Sequence, residues 1–263
     1  MNISQCKALV TGAGGGIGQA LVETLCREGA HLLVAGRHLA PLQDLARRFP
    51  AQIEIVEADI ASAAGRDDVL EAAGRFDGLN CLINAAGINR FGLLEQHDEE
   101  AIAAIIGLNV TSTLQLTRRL LPQLARQNRA LVVNLGSTFG SIGYPGFTAY
   151  CASKFALRGF SEALRRELAD TAVKVLYIAP RAARTAMNDS QVVAMNEELK
   201  VAMDDPQIVA AAIVSALRRE RNESFLGWPE KLFVRLNNLL PAVVDGALRK
   251  QLPVIKRFAR SPS

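Results

Sequence analysis

Histidine is scarce in this chain: three residues, His31, His38 and His97, among 263, and none close to another. The four cysteines, Cys6, Cys26, Cys81 and Cys151, show neither paired nor metal-like spacing. Zinc-type chemistry and a disulfide framework are therefore not expected, no metal site is assigned, and free thiols point to a cytoplasmic setting. No apolar run approaches the roughly 18 residues that a membrane-spanning helix needs. No secretory leader pattern opens the chain, because Lys7 leads straight into a short strand-like run. Charge of one sign is also missing from most of the sequence. The formal charge is +4, yet residues 231–263 hold seven Lys or Arg against one acid, Asp245, which leaves residues 1–230 slightly acidic. A basic excess confined to one end does not make a nucleic-acid groove.

What is present is apolar and glycine-rich: 49% hydrophobic residues and 20 glycines, suited to one domain with a substantial core. Lys7 to Thr11 reads as a strand that breaks into Gly12-Ala13-Gly14-Gly15-Gly16-Ile17-Gly18 and then turns helical through Leu21 and Leu25. Strand, glycine loop and helix together aim unpaired helix N–H groups at a phosphate, so pyrophosphate binding at Gly12, Gly14, Gly16, Ile17 and Gly18 is expected. A second strand, His31 to Ala35, ends at Gly36-Arg37-His38. An acid there would bind the adenosine ribose and repel a 2′-phosphate; neutral Gly36 and cationic Arg37 favour NADP over NAD. A plain solvated cation is the alternative for Arg37.

Further strands are expected at 53–58, delivering Asp59, and at 81–83, leading into Asn84-Ala85-Ala86-Gly87, whose small residues allow close backbone approach. Residues 98–126 read as one or two long helices that enclose Asn109, a poor mid-helix residue whose presence calls for a bend or a buried polar contact. Strands at 131–135 and 173–178 and a helix at 207–218 complete an alternating βα pattern with no internal linker. The fold class is α/β, a single-domain doubly wound parallel sheet of Rossmann type with helices on both faces.

The stretch Ser137 to Lys154, STFGSIGYPGFTAYCASK, carries the chemistry. On a helix, Tyr150 and Lys154 lie one turn apart on one face, and an ammonium beside a phenol favours the phenolate. Ser137 falls at the end of an apolar strand, where open α/β sheets place their sites.

Taken in order, these motifs resemble the classical short-chain dehydrogenase/reductase family from about residue 5 to about residue 227. The glycine motif corresponds to Thr11, Gly12, Gly16, Ile17 and Gly18, the adenine-side acid to Asp59, and the Asn-Ala-Ala-Gly stretch to Asn84, Ala85, Ala86 and Gly87. The catalytic positions fall on Asn109, Ser137, Tyr150 and Lys154. The resemblance implies hydride transfer between nicotinamide and a carbonyl or alcohol carbon. In it Tyr150 is the proton donor, Ser137 holds the substrate oxygen, Lys154 binds the nicotinamide ribose, and Asn109 holds a water. It also implies a homodimer or homotetramer formed through the helices around 98–126 and 150–168. Pro180 and Thr185 match the nicotinamide-side motif, but Arg181 stands where the family usually has glycine. A positive φ at that position would cost Arg181 strain or shift the loop. Arg181 or Arg184 meets an anionic substrate group or points to solvent; both readings are open.

Residues 1–230 are thus expected to form the dinucleotide-binding and catalytic domain, with 181–204 as a substrate lid, and 231–263 a basic amphipathic extension. In that extension Leu232, Leu236, Leu240, Val243, Val244 and Leu248 recur at helical spacing, and Pro241 and Pro253 are expected to divide it into short helices. It caps its own domain or a partner subunit, or it meets membrane lipid or a lipid-like substrate at its periphery. The expected activity is NADP-dependent reduction of a ketone, or oxidation of the matching secondary alcohol, with a lean toward a hydrophobic acyl substrate such as a 3-oxoacyl thioester. A catalytically silent dinucleotide sensor or scaffold is the rival class.

Overall fold

The protein is described here by a computed structural model covering residues 1–228 and 230–260. Seven short runs form strands: β1 (Lys7–Thr11), β2 (His31–Gly36), β3 (Ile53–Glu57), β4 (Cys81–Asn84), β5 (Ala130–Leu135), β6 (Val173–Ala179) and β7 (Glu223–Phe225). They pair in parallel in the order β3-β2-β1-β4-β5-β6-β7. Every residue of β5 is buried, as a central parallel strand covered on both faces must be.

Side chains along each strand alternate between two cores. Val10, Val34, Ile83 and Val133 point to one, shared with α1 (Gly16–Arg27), α2 (Leu39–Arg48) and α8 (Pro206–Arg219). Leu9, Leu33, Leu82 and Val132 point to the other, shared with α3 (Ala63–Arg75), α5 (Thr113–Leu124) and α6 (Thr148–Glu167). This period of two with helices on both faces is the Rossmann-type doubly wound fold. The strand order reverses between β1 and β4, where Thr11 and Asn84 lie side by side in register, and a crevice opens beyond them.

The segment around Asn109 is two helices joined by a wider turn. Asp98 caps α4 (Glu99–Ile106) by accepting from the Ala101 amide at 2.7 Å, a π-helical turn spans Gly107–Ser112, and α5 follows. The wide turn gives Asn109 both the bend and the buried polar contacts that its position calls for. Beyond β6, residues 181–204 carry one helix, α7 (Ser190–Glu198), and the C-terminal segment forms α9 (Glu230–Leu239) and α10 (Pro241–Arg260).

The proline expectation holds at one site and fails at the other. Pro241 opens α10 at a first-turn position where no N–H is missed, but α10 runs straight through Pro253. Pro253 stands on the exposed side of α10, and the carbonyl it strips of a partner belongs to exposed Arg249, while Val244 and Ile255 on the inner side stay anchored. The C-terminal helices pack on the chain's own domain. Val234, Val244 and Ile255 are buried, the Asn237 amide donates to the Ser141 carbonyl at 2.9 Å, and the Tyr144 hydroxyl donates to Gln251 Oε1 at 3.1 Å.

Candidate active site

A cleft of about 680 Å³ lies along the carboxyl ends of the strands. Its nucleotide end is backbone. Gly12 has φ +69°, and a β-carbon there would sit 2.7 Å from the Ala86 Cα. At Gly18 a β-carbon would sit 2.1 Å from the Gly12 carbonyl oxygen. Glycine is thus required for the loop to tuck against the next strand and start α1. No side chain caps α1 at Gly15, so the first-turn N–H groups face the cleft. A pyrophosphate fits that cradle in both shape and charge.

Gly14, Gly16, Ile17, Ala85, Ala86 and Gly87 line the same end, with Arg37 and Asp59 at its far side. Arg37 is exposed and has no carboxylate partner among the described residues. Three sequence-assigned residues stand behind the wall instead. Thr11 is buried, and its Oγ1 accepts from the Ala85 and Ala86 amides at 3.2 and 3.3 Å, tying β1 to the loop after β4. Asn84 donates to Thr117 Oγ1 and Asn134 Oδ1 at 3.1 and 2.8 Å. Asn109 accepts from the Ile88 amide at 2.8 Å and donates to the Ile88 carbonyl and Ser153 Oγ at 2.9 and 3.0 Å. Thr11 and Asn109 clamp backbone segments that do reach the cleft, whereas Asn84 binds only side chains.

Ser137, Tyr150 and Lys154 meet on one wall. Ser137 follows β5, and its position rests on Tyr177 beneath it. The Tyr177 hydroxyl donates to the Ser137 carbonyl at 3.2 Å, and a β-carbon at Gly136 would collide with the Tyr177 ring at 2.2 Å. Lys154 is buried, donates to the Leu135 carbonyl at 2.9 Å, and holds its ammonium 5.6 Å from the Tyr150 ring centre. Burial pulls the Lys154 pKa down to about 8. Burial also pushes the Tyr150 phenol well above its ordinary range, with a hydrogen bond to the Ser137 side chain opposing it. With the protein alone around it, the phenol is a proton donor at neutral pH, and burial outweighs the pull of the ammonium toward phenolate.

Pro180 and Thr185 line the cleft near this wall, and Thr185 packs against Gly16, where a β-carbon would meet its Cγ2 at 2.7 Å. Arg181 has neither a positive φ nor a free guanidinium, so the expected strain is not there. Its Nε and Nη2 bind both carboxylate oxygens of Asp204 at 2.9 and 2.6 Å, and its Nη1 donates to the Trp228 carbonyl at 2.9 Å. With the backbone bridge from Ala183 to Asp204, this pair closes the base of the 181–204 loop. Arg181 is therefore not a cation pointing to open solvent, although it also lines the cleft.

The sequence offered the remaining walls only as segments, the 181–204 lid and the amphipathic extension, and did not single out the residues that line the cleft. Phe139, Tyr144 and Phe147 come from the loop before α6, Val192 from α7, and Phe233, Val244 and Leu248 from the C-terminal helices. The rings of Phe139, Tyr144 and Phe147 stack and tilt against one another, with Phe139 and Tyr144 centres 4.9 Å apart. Asn89 also lines the cleft, and its Oδ1 is buried without a partner among the described residues. The aromatic residues lie inside the Ser137 to Lys154 stretch, so proximity in sequence was a signal for them; nothing local marks Phe233 or Leu248.

The short chain dehydrogenase family model matches residues 7–196. Nodulation protein G of Rhizobium meliloti is 33% identical over 201 residues, which is 75% of this chain and 81% of that protein. A short chain dehydrogenase from Burkholderia cenocepacia, solved with NADP, superposes with a TM-score of 0.82 at 28% identity over 94% of this chain and 99% of that one. One from Burkholderia phymatum, solved with NAD, has the same fold, with a TM-score of 0.83 at 22% identity over 93% and 96% of the two chains. A glycine cradle shaped for a pyrophosphate, a Ser-Tyr-Lys wall beside it, and these likenesses have one common explanation: the chain belongs to the short-chain dehydrogenase family and is an NAD(P)-dependent oxidoreductase.

Proposed function

We propose that this protein is an NADP-dependent reductase of a ketone, working on an apolar acyl or lipid-like substrate such as a 3-oxoacyl thioester, and in reverse an oxidant of the matching secondary alcohol. The observation that carries the reading is the convergence of Ser137, Tyr150 and Lys154 on one wall of a cleft whose adjoining lining is aromatic and aliphatic. When bound, the nicotinamide supplies the hydride. The protein's own residues bind, orient and move the proton. The glycine loop and the start of α1 would hold the pyrophosphate, with Thr11 keeping the neighbouring backbone in place, and Asp59 would serve the adenosine end. Tyr150, kept protonated by burial, gives its phenol proton to the substrate oxygen as charge grows there, and Ser137 donates a hydrogen bond to the same atom. Lys154 sits beside Gly87 and Asn109, where it would bind the cofactor's ribose, and Pro180 and Thr185, which line the cleft, would serve its nicotinamide end. Asn109 positions Ile88 and Ser153, and through them the Lys154 turn of α6.

Arg37 supports the choice of NADP. A guanidinium at the end of β2 without a carboxylate partner among the described residues offers a charge-assisted, bidentate contact to a 2′-phosphate, and the strand itself ends on neutral Gly36 rather than on an acid. Four free, buried cysteines support a cytoplasmic location. A homodimer or homotetramer through α4, α5 and α6 is supported by Phe155, 44% exposed on α6. Fluorescence titration with NADPH and NADH tests the cofactor assignment. Wild type should prefer NADPH by at least about tenfold, and Arg37→Ala should erase most of that preference. Equal affinities in the wild type would reverse it.

A further inference from the structure

We propose that the corner between α9 and α10 is a docking surface for an anionic lipid bilayer, and that it sets the apolar end of the cleft against that bilayer. Large apolar side chains exposed elsewhere in the molecule are scattered. Here six gather in one short segment: Trp228, Leu232, Phe233, Leu239, Leu240 and Val243. On α9 the buried residue is Val234, and Asn237 beside it is bonded to Ser141. Leu232, Leu236 and Leu239 fall on the opposite side at spacings of four and three, and Leu239 is 80% exposed. A helix that buries one side against its own domain has no folding reason to keep leucines on the other.

Charge identifies what covers this surface. Lys231, Arg235, Arg249, Lys250, Lys256 and Arg260 have no carboxylate partner among the described residues, and Asp245 is the single acid from residue 231 onward. A second copy docked isologously would set this cationic segment against itself. Anionic headgroups complement it, and Trp228 at its edge has the amphipathic ring that favours a membrane interface. The surface is also continuous with the cleft, since exposed Trp228 and Phe233 are themselves lining residues. An apolar substrate dissolved in the bilayer would therefore pass from lipid to the Tyr150 wall with little exposure to water. No helix among the described residues is long and apolar enough to cross a membrane, which fits attachment in the plane of the interface.

The purpose given to the surface rests on the reading of the cleft as a lipid-like substrate site, but its test does not use turnover. Full-length protein is floated with vesicles of phosphatidylcholine alone and with vesicles that also carry phosphatidylglycerol. The wild type should float with the second kind and hardly with the first. Leu239→Glu with Leu240→Glu, and separately Arg249→Glu with Lys250→Glu, should each cut flotation by at least about tenfold while NADPH affinity and the circular dichroism spectrum stay unchanged. Wild type that floats with neither vesicle, or variants that float as well as wild type, would overturn the proposal. So would a wild-type dimer that light scattering shows falling to monomer in the leucine variant without any vesicle binding, because a second copy would then cover the face. Vesicle binding by a protein that reduces no ketone would leave the docking surface standing and remove the substrate reading.

Discussion

The nucleotide end of the cleft has walls of backbone, and the substrate end has walls of side chains. At the first, glycines let main chain approach main chain: a methyl group on Gly12 or Gly18 would strike Ala86 or the Gly12 carbonyl. At the second, Phe139, Tyr144, Phe147, Phe233 and Leu248 line the cleft from three separate segments, and the first three pack ring against ring. Backbone geometry leaves little room for change, whereas side-chain walls can be repacked at modest cost. One end is therefore held to a single ligand type, and the other is free to define a substrate.

The comparison can be broken at its rigid end first. Gly18→Ala should reduce nucleotide affinity by at least about 100-fold in a titration, because the added methyl cannot fit without moving the loop. Affinity within a few-fold of wild type would mean that the cradle is softer than its contacts indicate. At the adaptable end, Asp204→Ala removes the partner of Arg181 and loosens the base of the 181–204 loop. A charged, hydrogen-bonded pair in a half-buried setting is worth about 2 kcal/mol, so KM for a hydrophobic ketone should rise by up to about 30-fold while nucleotide affinity changes little. An equal loss of both would tie the loop to the nucleotide rather than the substrate.

The smallest effect is the one in pH. Lys154 has its pKa lowered to about 8, so the free enzyme loses the ammonium as pH rises through that value. The phenol stays protonated over the same range, because burial has raised it. For reduction, kcat/KM should be level below about pH 8 and fall above it, since that ratio reports the free enzyme. A level profile to well beyond pH 9 would mean that Lys154 keeps its charge, and that its burial is relieved in solution.

The difference between the two ends also explains what could be read from the sequence. Gly12 to Gly18, Asn84 to Gly87 and the Tyr150–Lys154 spacing are local requirements of backbone and helix, so they appear as contiguous patterns. Short apolar runs marked β1 to β6 for the same reason, whereas the three-residue edge strand β7 carries no such run. Asn109 signalled trouble in a helix, but the π-helical turn that resolves it depends on Ile88 and Ser153, each more than 20 residues away. Arg181 stood out as a departure, yet its meaning lies in Asp204 and in the Trp228 carbonyl. Pro253 looked like a helix break until the anchoring of Val244 and Ile255 against the domain outweighed one lost hydrogen bond. Nothing local announced that Phe233 and Leu248 would form a wall of the cleft, because that depends on where α9 and α10 fold back.

The central claim is that Tyr150 transfers the proton in a ketone reductase, and NADPH oxidation with a panel of small and long-chain ketones tests it most directly when wild type is set against Tyr150→Phe. Wild type should turn over at least one long-chain ketone faster than its short homologue. Tyr150→Phe should lose about 100-fold or more of that turnover with NADPH affinity intact. Full turnover in the Tyr150→Phe variant would contradict the assignment of the proton donor, and no oxidation of NADPH by wild type with any ketone would contradict the reductase reading itself.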